Sequence, residues 1–496
     1  MRTTKAIHDR LWVVPIVIFF APIIAMYFAV LQLTKGNFTY TLDDPYIHLA
    51  LAKNIWLGNY GINLSEASAP SSSIIWPFLM APFAVFQNLF EYVPLITNTF
   101  CVVLFGLLLL SIFSELRPIA AISFSLVLML SLNVYGLAFT GMEHSAQVLL
   151  VLIIAWGLVK AEARKENAWN KFLFYSSLIL LPLVRYEGLA ISLPVLIYLF
   201  IVEERRFPAF SFIFLLAGIV SFSIYLNSKG LGFLPSSVLA KSSHADSTST
   251  LQNLISNIKK HGFLLIPIFS ICIIRFKEDK PFSLMLICVT ALHFLFGKHG
   301  WYGRYEVYYI LFILVISLKL FLRFEPKLWL VVFTLPFVFP DLVYATVTTP
   351  LASSNIFNQQ AKMAAITKIL DDKVAVNDLG LVALRSKNYV LDLAGLGSID
   401  ALNNRKIGGS IDWISKLMEK KDVKYAIIYD SWFPQRPHNW IKVADLKLLQ
   451  KRITPASDSV AFYATSDEGV IKLRKVIDAF LQENASESYR FEFVSH

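Results

Sequence analysis

Residues 11–33 read LWVVPIVIFFAPIIAMYFAVLQL, 23 positions without a single charge. At 1.5 Å per residue, a helix of that length reaches about 35 Å, enough to cross a hydrocarbon core of about 30 Å. The run is too long for a signal-peptide core and no small-residue cleavage site follows it, so it reads as a retained span. Arg2, Lys5 and Arg10 precede it and put the N-terminus in the cytoplasm. The rest of the chain has the same character. Of 496 residues, 56% are hydrophobic and 16% charged, with 40 Phe, 20 Tyr and 10 Trp. Soluble domains carry about 45–50% apolar and about 25% charged residues. A soluble enzyme and a disordered chain are both excluded.

The charge is unevenly spread. Residues 1–350 hold 43 charged side chains, while the 146 residues of 351–496 hold 37, the globular density. A membrane body at 1–350 and a water-soluble tail at 351–496 follow, the tail long enough to bury its own core. The net charge of +10 divides as +7 and +3 between them, an excess that cytoplasmic loops explain better than nucleic acid does. Cys101, Cys272 and Cys288 fall in apolar segments without metal or redox spacing.

Further apolar runs lie at 74–90, 95–113, 118–139, 145–159, 172–184, 188–202, 207–226, 262–276, 282–297, 306–322 and 328–346. Basic clusters at Lys160/Arg164/Lys165/Lys171, Arg205/Arg206, Arg275/Lys277/Lys280 and Arg323/Lys327 mark every second connection as cytoplasmic. Loops 34–73, 140–144, 185–188, 227–261 and 298–305 and the tail then lie outside. The count closes if 74–90, short and carrying Pro77 and Pro82, is a re-entrant or surface-lying segment. The expected fold is a polytopic α-helical membrane protein of about 11 crossings with a C-terminal α/β extracytoplasmic domain. In that tail the pattern predicts helices at 355–370, 410–420 and 469–482 and strands at 374–376, 389–393 and 425–429.

The chemistry concentrates in the first outer loop, TLDDPYIHLALAKNIWLGNYGIN at 41–63. An Asp before Pro commonly caps a helix, and one of Asp43 and Asp44 has that simple use. Capping needs one carboxylate, however, and two neighbours repel unless a cation or a proton-accepting task is present. This segment resembles the acidic first-loop motif of GT-C glycosyltransferases, polytopic enzymes using polyprenyl-phosphate sugars, and among them the arabinofuranosyltransferases. APSSSIIWPF at 69–78, TGMEH at 140–144, LVRYEG at 183–188, LPSSVLAKS at 234–242, GRYEVYYI at 303–310, VAVNDLGLVAL at 374–384 and VLDLAGLGS at 390–398 look like the same pattern in the same order. The chain departs from it at Tyr186, where Pro is expected, and at Ser236 and Ser237, where Asn-Thr is more usual.

The resemblance implies inverting or retaining transfer of a sugar, arabinofuranose in the nearest members, from a polyprenyl phosphate to a hydroxyl. The acceptor would be a glycan, a lipid-linked saccharide or a protein such as a pilin, on the outer face of a bacterial cytoplasmic membrane. Such transfer needs a base, for which Asp44 and then Asp43 are the candidates. It needs cations for the phosphate, and Arg304, Arg185, Lys241 and Lys298 all fall on outer loops or span ends. Each has a plainer alternative: Arg185 pairing with Glu187, Arg304 with Glu306, and the lysines as solvated charges. His48, Glu143, His144 and Tyr305 are candidate substrate contacts, with Trp301, Tyr302 and Tyr305 at head-group depth. Asp43 and Asp44 are the candidate ligands for a divalent cation, although two carboxylates supply too few ligands to require one. Asp378 and Asp392 close predicted strands and read as turn caps. A flippase or transporter of lipid-linked sugars is the alternative function, but the spans are nearly free of the central charges it would need. A sensor or scaffold explains the tail and not the many crossings.

Overall fold

The computed structural model describes residues 13–87, 89–242, 247–321, 335–407 and 412–495. Arg2, Lys5, Arg10, Arg323 and Lys327 lie outside this set, as do the first residues of the expected 328–346 span and the side chain of Lys241. Among the described residues, four helices are long and apolar enough to cross a bilayer: Val13–Leu33, Phe90–Ile112, Arg206–Ser228 and Thr250–Arg275. Seven shorter apolar helices accompany them: Trp76–Val85, Pro118–Ser131, His144–Val159, Ala168–Val184, Tyr186–Val202, Lys280–Phe296 and Val307–Leu320. The body is that of a helical membrane protein, and helix length alone does not reach the expected count of eleven crossings.

Two expectations are corrected. The span expected at 262–276 is preceded directly by helix Ser247–His261, so the candidate crossing extends back to Thr250 and the loop before it is shorter than 227–261. The run at 118–139 breaks into Pro118–Ser131 and Val134–Phe139, because Asn133 is left-handed at φ 56°. Asn is among the few non-Gly residues that tolerate this. Its buried side chain accepts from Thr346 Oγ1 at 3.1 Å and donates to Tyr302 O at 3.0 Å. The segment 74–90 folds as the short helix Trp76–Met80 and the 3-10 turns Ala81–Val85 and Phe90–Tyr92.

The tail is built on one six-stranded sheet: β1 (Val374–Val376), β2 (Val390–Asp392), β3 (Tyr425–Ile428), β4 (Ile441–Leu448), β5 (Ser459–Ala464) and β6 (Tyr489–Phe493), ordered β2-β1-β3-β5-β4-β6. The first three are parallel, and β5, β4 and β6 extend the sheet antiparallel from β3. Strands β1, β2 and β3 lie where the sequence puts them, within a residue or two. Strands β4 to β6 were not expected, nor were helices Gly380–Arg385 and Ile399–Ile407. The helix expected at 355–370 is two helices, Thr349–Asn358 and Gln360–Leu370, broken at the buried Gln359, whose amide donates to Ser457 O at 3.0 Å. Asp467–Asn484 is the C-terminal helix.

The loop at 34–73 lies against this sheet. The Asn63 side chain extends it at the free edge of β2, donating to Val390 O and accepting from Val390 N–H, both at 2.9 Å. Glu66 meets Lys421 Nζ at 2.7 Å and the Tyr389 hydroxyl at 2.5 Å.

Candidate active site

Residues at the ends of four apolar or loop-borne helices build the site. Asp44 opens helix Asp44–Trp56, with Pro45 in its first turn. Glu143 immediately precedes His144–Val159, Arg185 immediately follows Ala168–Val184, and Arg304 lies just ahead of Val307–Phe321. Close backbone approach brings them together. Gly141 has φ +65°, and a Cβ there would sit 2.7 Å from Pro45 Cβ, so the TGMEH turn lies flat on the acidic motif only because residue 141 is Gly. Thr41 N–H donates to Phe139 O at 3.0 Å beside it.

Arg304, 4% exposed, donates from Nη1 to Asp44 Oδ2 at 3.2 Å, and Asp44 is 35% exposed. Arg304 Nη2 also donates to the Tyr305 hydroxyl at 3.1 Å. Arg185 is buried and carries two carboxylates, Glu143 Oε1 at 2.7 Å and Glu187 Oε1 at 2.8 Å. The Tyr305 ring centre is 5.6 Å from the Arg185 guanidinium carbon and 5.0 Å from that of Arg304, so one ring touches both cations. His144 meets the same ring edge-on with centroids 6.4 Å apart. His48 is buried, its Nδ1 3.4 Å from Ser71 Oγ. Burial lowers its pKa, against the opposing pull of Glu143 and Asp44, and keeps the ring neutral. Among the described residues, Arg304 Nε and Glu143 Oε2 are buried without a hydrogen-bond partner, one a donor and the other an acceptor. Buried polar atoms are rarely left so unless a ligand or water completes them.

Seven of the expected residues thus share one cluster: Asp44, His48, Glu143, His144, Arg185, Arg304 and Tyr305. Lys298 does not join its buried part, being exposed. Arg304 does not pair with Glu306, which instead accepts from Gly300 N–H at 3.0 Å. Arg185 does pair with Glu187, and with Glu143 as well.

Asp43 goes elsewhere. Its carboxylate makes no cap bond to its own helix but accepts from Gly380 N–H at 2.5 Å and Leu381 N–H at 2.9 Å in the tail. Burial, with Asp378 adding, pushes its pKa well above the ordinary carboxylate range. The adjacent carboxylates therefore diverge, one to Arg304 and one to the tail, and do not fit a cation clamp. Among the described residues no cluster of three or more His, Cys, Asp or Glu side chains has the arrangement to hold a metal. Asp392 caps its turn as expected, accepting from Ala394 N–H at 2.8 Å and Gly397 N–H at 2.7 Å. Asp378 does not: it accepts from Gln360 Nε2 at 2.7 Å and lies 2.8 Å from the Tyr429 hydroxyl. Strand-end position gave the sequence no sign of this contact across the sheet.

Residues 354–463 match the family described as a domain of unknown function (DUF8728). No curated protein sequence matches the chain. Solved structures of similar course include the Archaeoglobus fulgidus oligosaccharyltransferase in complex with Zn and sulfate, 11% identical with TM-score 0.47, covering 90% of this chain and 73% of that one. The archaeal oligosaccharyltransferase AglB from Archaeoglobus fulgidus, with an inhibitory peptide and a dolichol-phosphate, is 10% identical with TM-score 0.48, over 91% and 74%. The Archaeoglobus fulgidus oligosaccharyltransferase in its apo form is 11% identical with TM-score 0.48, over 95% and 79%. At such scores these are distant likenesses, and they assign no activity to this chain.

Proposed function

We propose that the chain is an integral-membrane glycosyltransferase of the GT-C type, moving a sugar from a polyprenyl phosphate to a hydroxyl at the outer face of the membrane. Asp44 is the base: it is the one member of the acidic pair that water and a substrate reach, and it takes the acceptor proton as the glycosidic bond forms. Arg304 faces the departing lipid phosphate, whose charge grows as the bond to the sugar breaks. The observation that carries this is the Asp44–Arg304 contact at 3.2 Å, made between residues 260 apart, with Arg304 Nε still unpartnered. An arriving phosphate oxygen satisfies that donor, and Arg is suited to engage it through more than one N–H. Glu143 Oε2 is the complementary acceptor, fit for a sugar hydroxyl. Arg185, neutralised by two carboxylates, supports Tyr305 and Glu143. Arabinofuranose is the first sugar to test, and glycan, lipid-linked and protein hydroxyls are the acceptors to offer.

The experiment is transfer from radiolabelled polyprenyl-monophosphate sugars by the purified protein in nanodiscs. Glycosylated product from the wild type and none from Asp44→Asn supports the reading. Lipid-linked sugar crossing vesicle membranes without any transfer supports a flippase instead.

A further inference from the structure

We propose that the soluble tail is a clamp for the acidic motif, with Asp378 and Gly380 as positioning residues that hold Asp43 and, through it, the neighbouring Asp44. The consequence for turnover rests on the reading of Asp44 as the base. Asp43 occupies the capping position of helix Asp44–Trp56 yet caps the tail helix Gly380–Arg385, which has no side-chain cap from its own Leu379. A side-chain cap satisfies the same free N–H groups at the start of either helix. Moving it costs little locally, and what it gains is a link across 337 residues.

Gly380 makes that link sterically feasible. A Cβ at 380 would stand 2.0 Å from the Asp43 carbonyl oxygen and 2.8 Å from its carboxyl carbon, and the first of these contacts is with backbone that cannot swing away. Asp378 lies beside the same carboxyl and adds to the rise in its pKa. Two buried carboxyls that share a site keep a proton between them, and burial raises the pKa of both; that shared proton is the second hold. Asp378 is fixed in turn by Gln360 and Tyr429, and Tyr429 N–H donates to Asn377 Oδ1 at 2.7 Å, so the hold runs from β1 to β3. Asn63 on Val390 and Glu66 on Lys421 anchor the far end of the same loop. The matched domain at 354–463 contributes Gln360, Asp378, Gly380, Val390, Lys421 and Tyr429 to this contact. Its work is to fix the loop, without itself touching the sugar.

Full-length Gly380→Ala and Asp378→Ala in nanodiscs test the clamp by two readouts. Amide hydrogen exchange over 41–56 reads docking whether or not the chain transfers sugar, and it should quicken in both variants. Turnover of a polyprenyl-monophosphate sugar should fall about 10²-fold in kcat with little change in donor KM, the signature of a base displaced by about 1 Å. Unchanged exchange, or quickened exchange with wild-type kcat, overturns the proposal. If Gly380→Ala fails to fold, Asp378→Ala, which removes the carboxyl without adding bulk, decides alone. A wild type that transfers no sugar while the variants still quicken exchange retains the clamp and removes the reading of Asp44 as base.

Discussion

Arg304 and Arg185 are both buried arginines at the same cluster, and truncating each should fail in a different way. Arg185→Ala strands Glu143, which is 0% exposed and has its other oxygen already unpartnered. Removing one member of a buried pair costs about 3–5 kcal/mol because the remaining charge stays dry. That is a large part of a domain's stability, so this variant should lose yield and melt early. Arg304→Ala leaves Asp44, which is 35% exposed. Water reaches that carboxylate, and the cost falls nearer the about 1 kcal/mol of an exposed pair. Its penalty should come in catalysis: a donor aimed at developing charge is worth about 10²–10³-fold in kcat. Arg304→Lys keeps the charge but loses Nε and the fork, and should fall between the two. Nanodisc samples would be followed by thermal melting and by single-turnover transfer from a polyprenyl-monophosphate sugar. Wild-type turnover in a well-folded Arg304→Ala, with loss of activity confined to a folded Arg185→Ala, would refute the assignment and move the phosphate to Arg185.

Asp44→Asn should insert and melt like the wild type yet lose about 10²-fold or more in transfer, since an amide accepts no proton at neutral pH. For topology, Glu483→Cys in the tail should react with an impermeant maleimide on intact cells and Lys165→Cys only after permeabilisation; the reverse pattern would put the site on the wrong face. His48 has a folded pKa below its free value of about 6.5. On acidification the unfolded state takes the proton first, so the stability this neutral ring contributes above about pH 6.5 is lost progressively as pH falls from there through the lower folded value. His48→Gln should therefore flatten the acid side of a Tm-against-pH profile while leaving the neutral side in place.

Much of this was legible in the sequence, for physical reasons that particular residues show. Apolar runs announce membrane helices because hydrocarbon admits little else, and charges at their ends stand out against that background. That is how Asp44, Glu143, Arg185 and Arg304 were found. Their partners were not legible. Arg304 has Glu306 two positions away and takes Asp44 instead, because Glu306 is turned to the Gly300 N–H. Strands β4 to β6 escaped because IKVADLKL, with Lys and Asp among its apolar positions, meets the core over only part of its length. The break at Asn133 depends on Tyr302 and Thr346, far along the chain. Asp43 shows the limit most sharply. Its neighbour relation to Asp44 is plain in the sequence, and repulsion between adjacent carboxylates pointed to a cation or a proton-accepting task for the pair. Around a helix start, successive residues turn by about 100°, so adjacent side chains need not share a partner. One carboxylate faces the membrane helices and the other the soluble sheet. The motif sets these two contacts one peptide bond apart, and by the clamp proposed above a displacement at Gly380 would shift the carboxylate that meets Arg304.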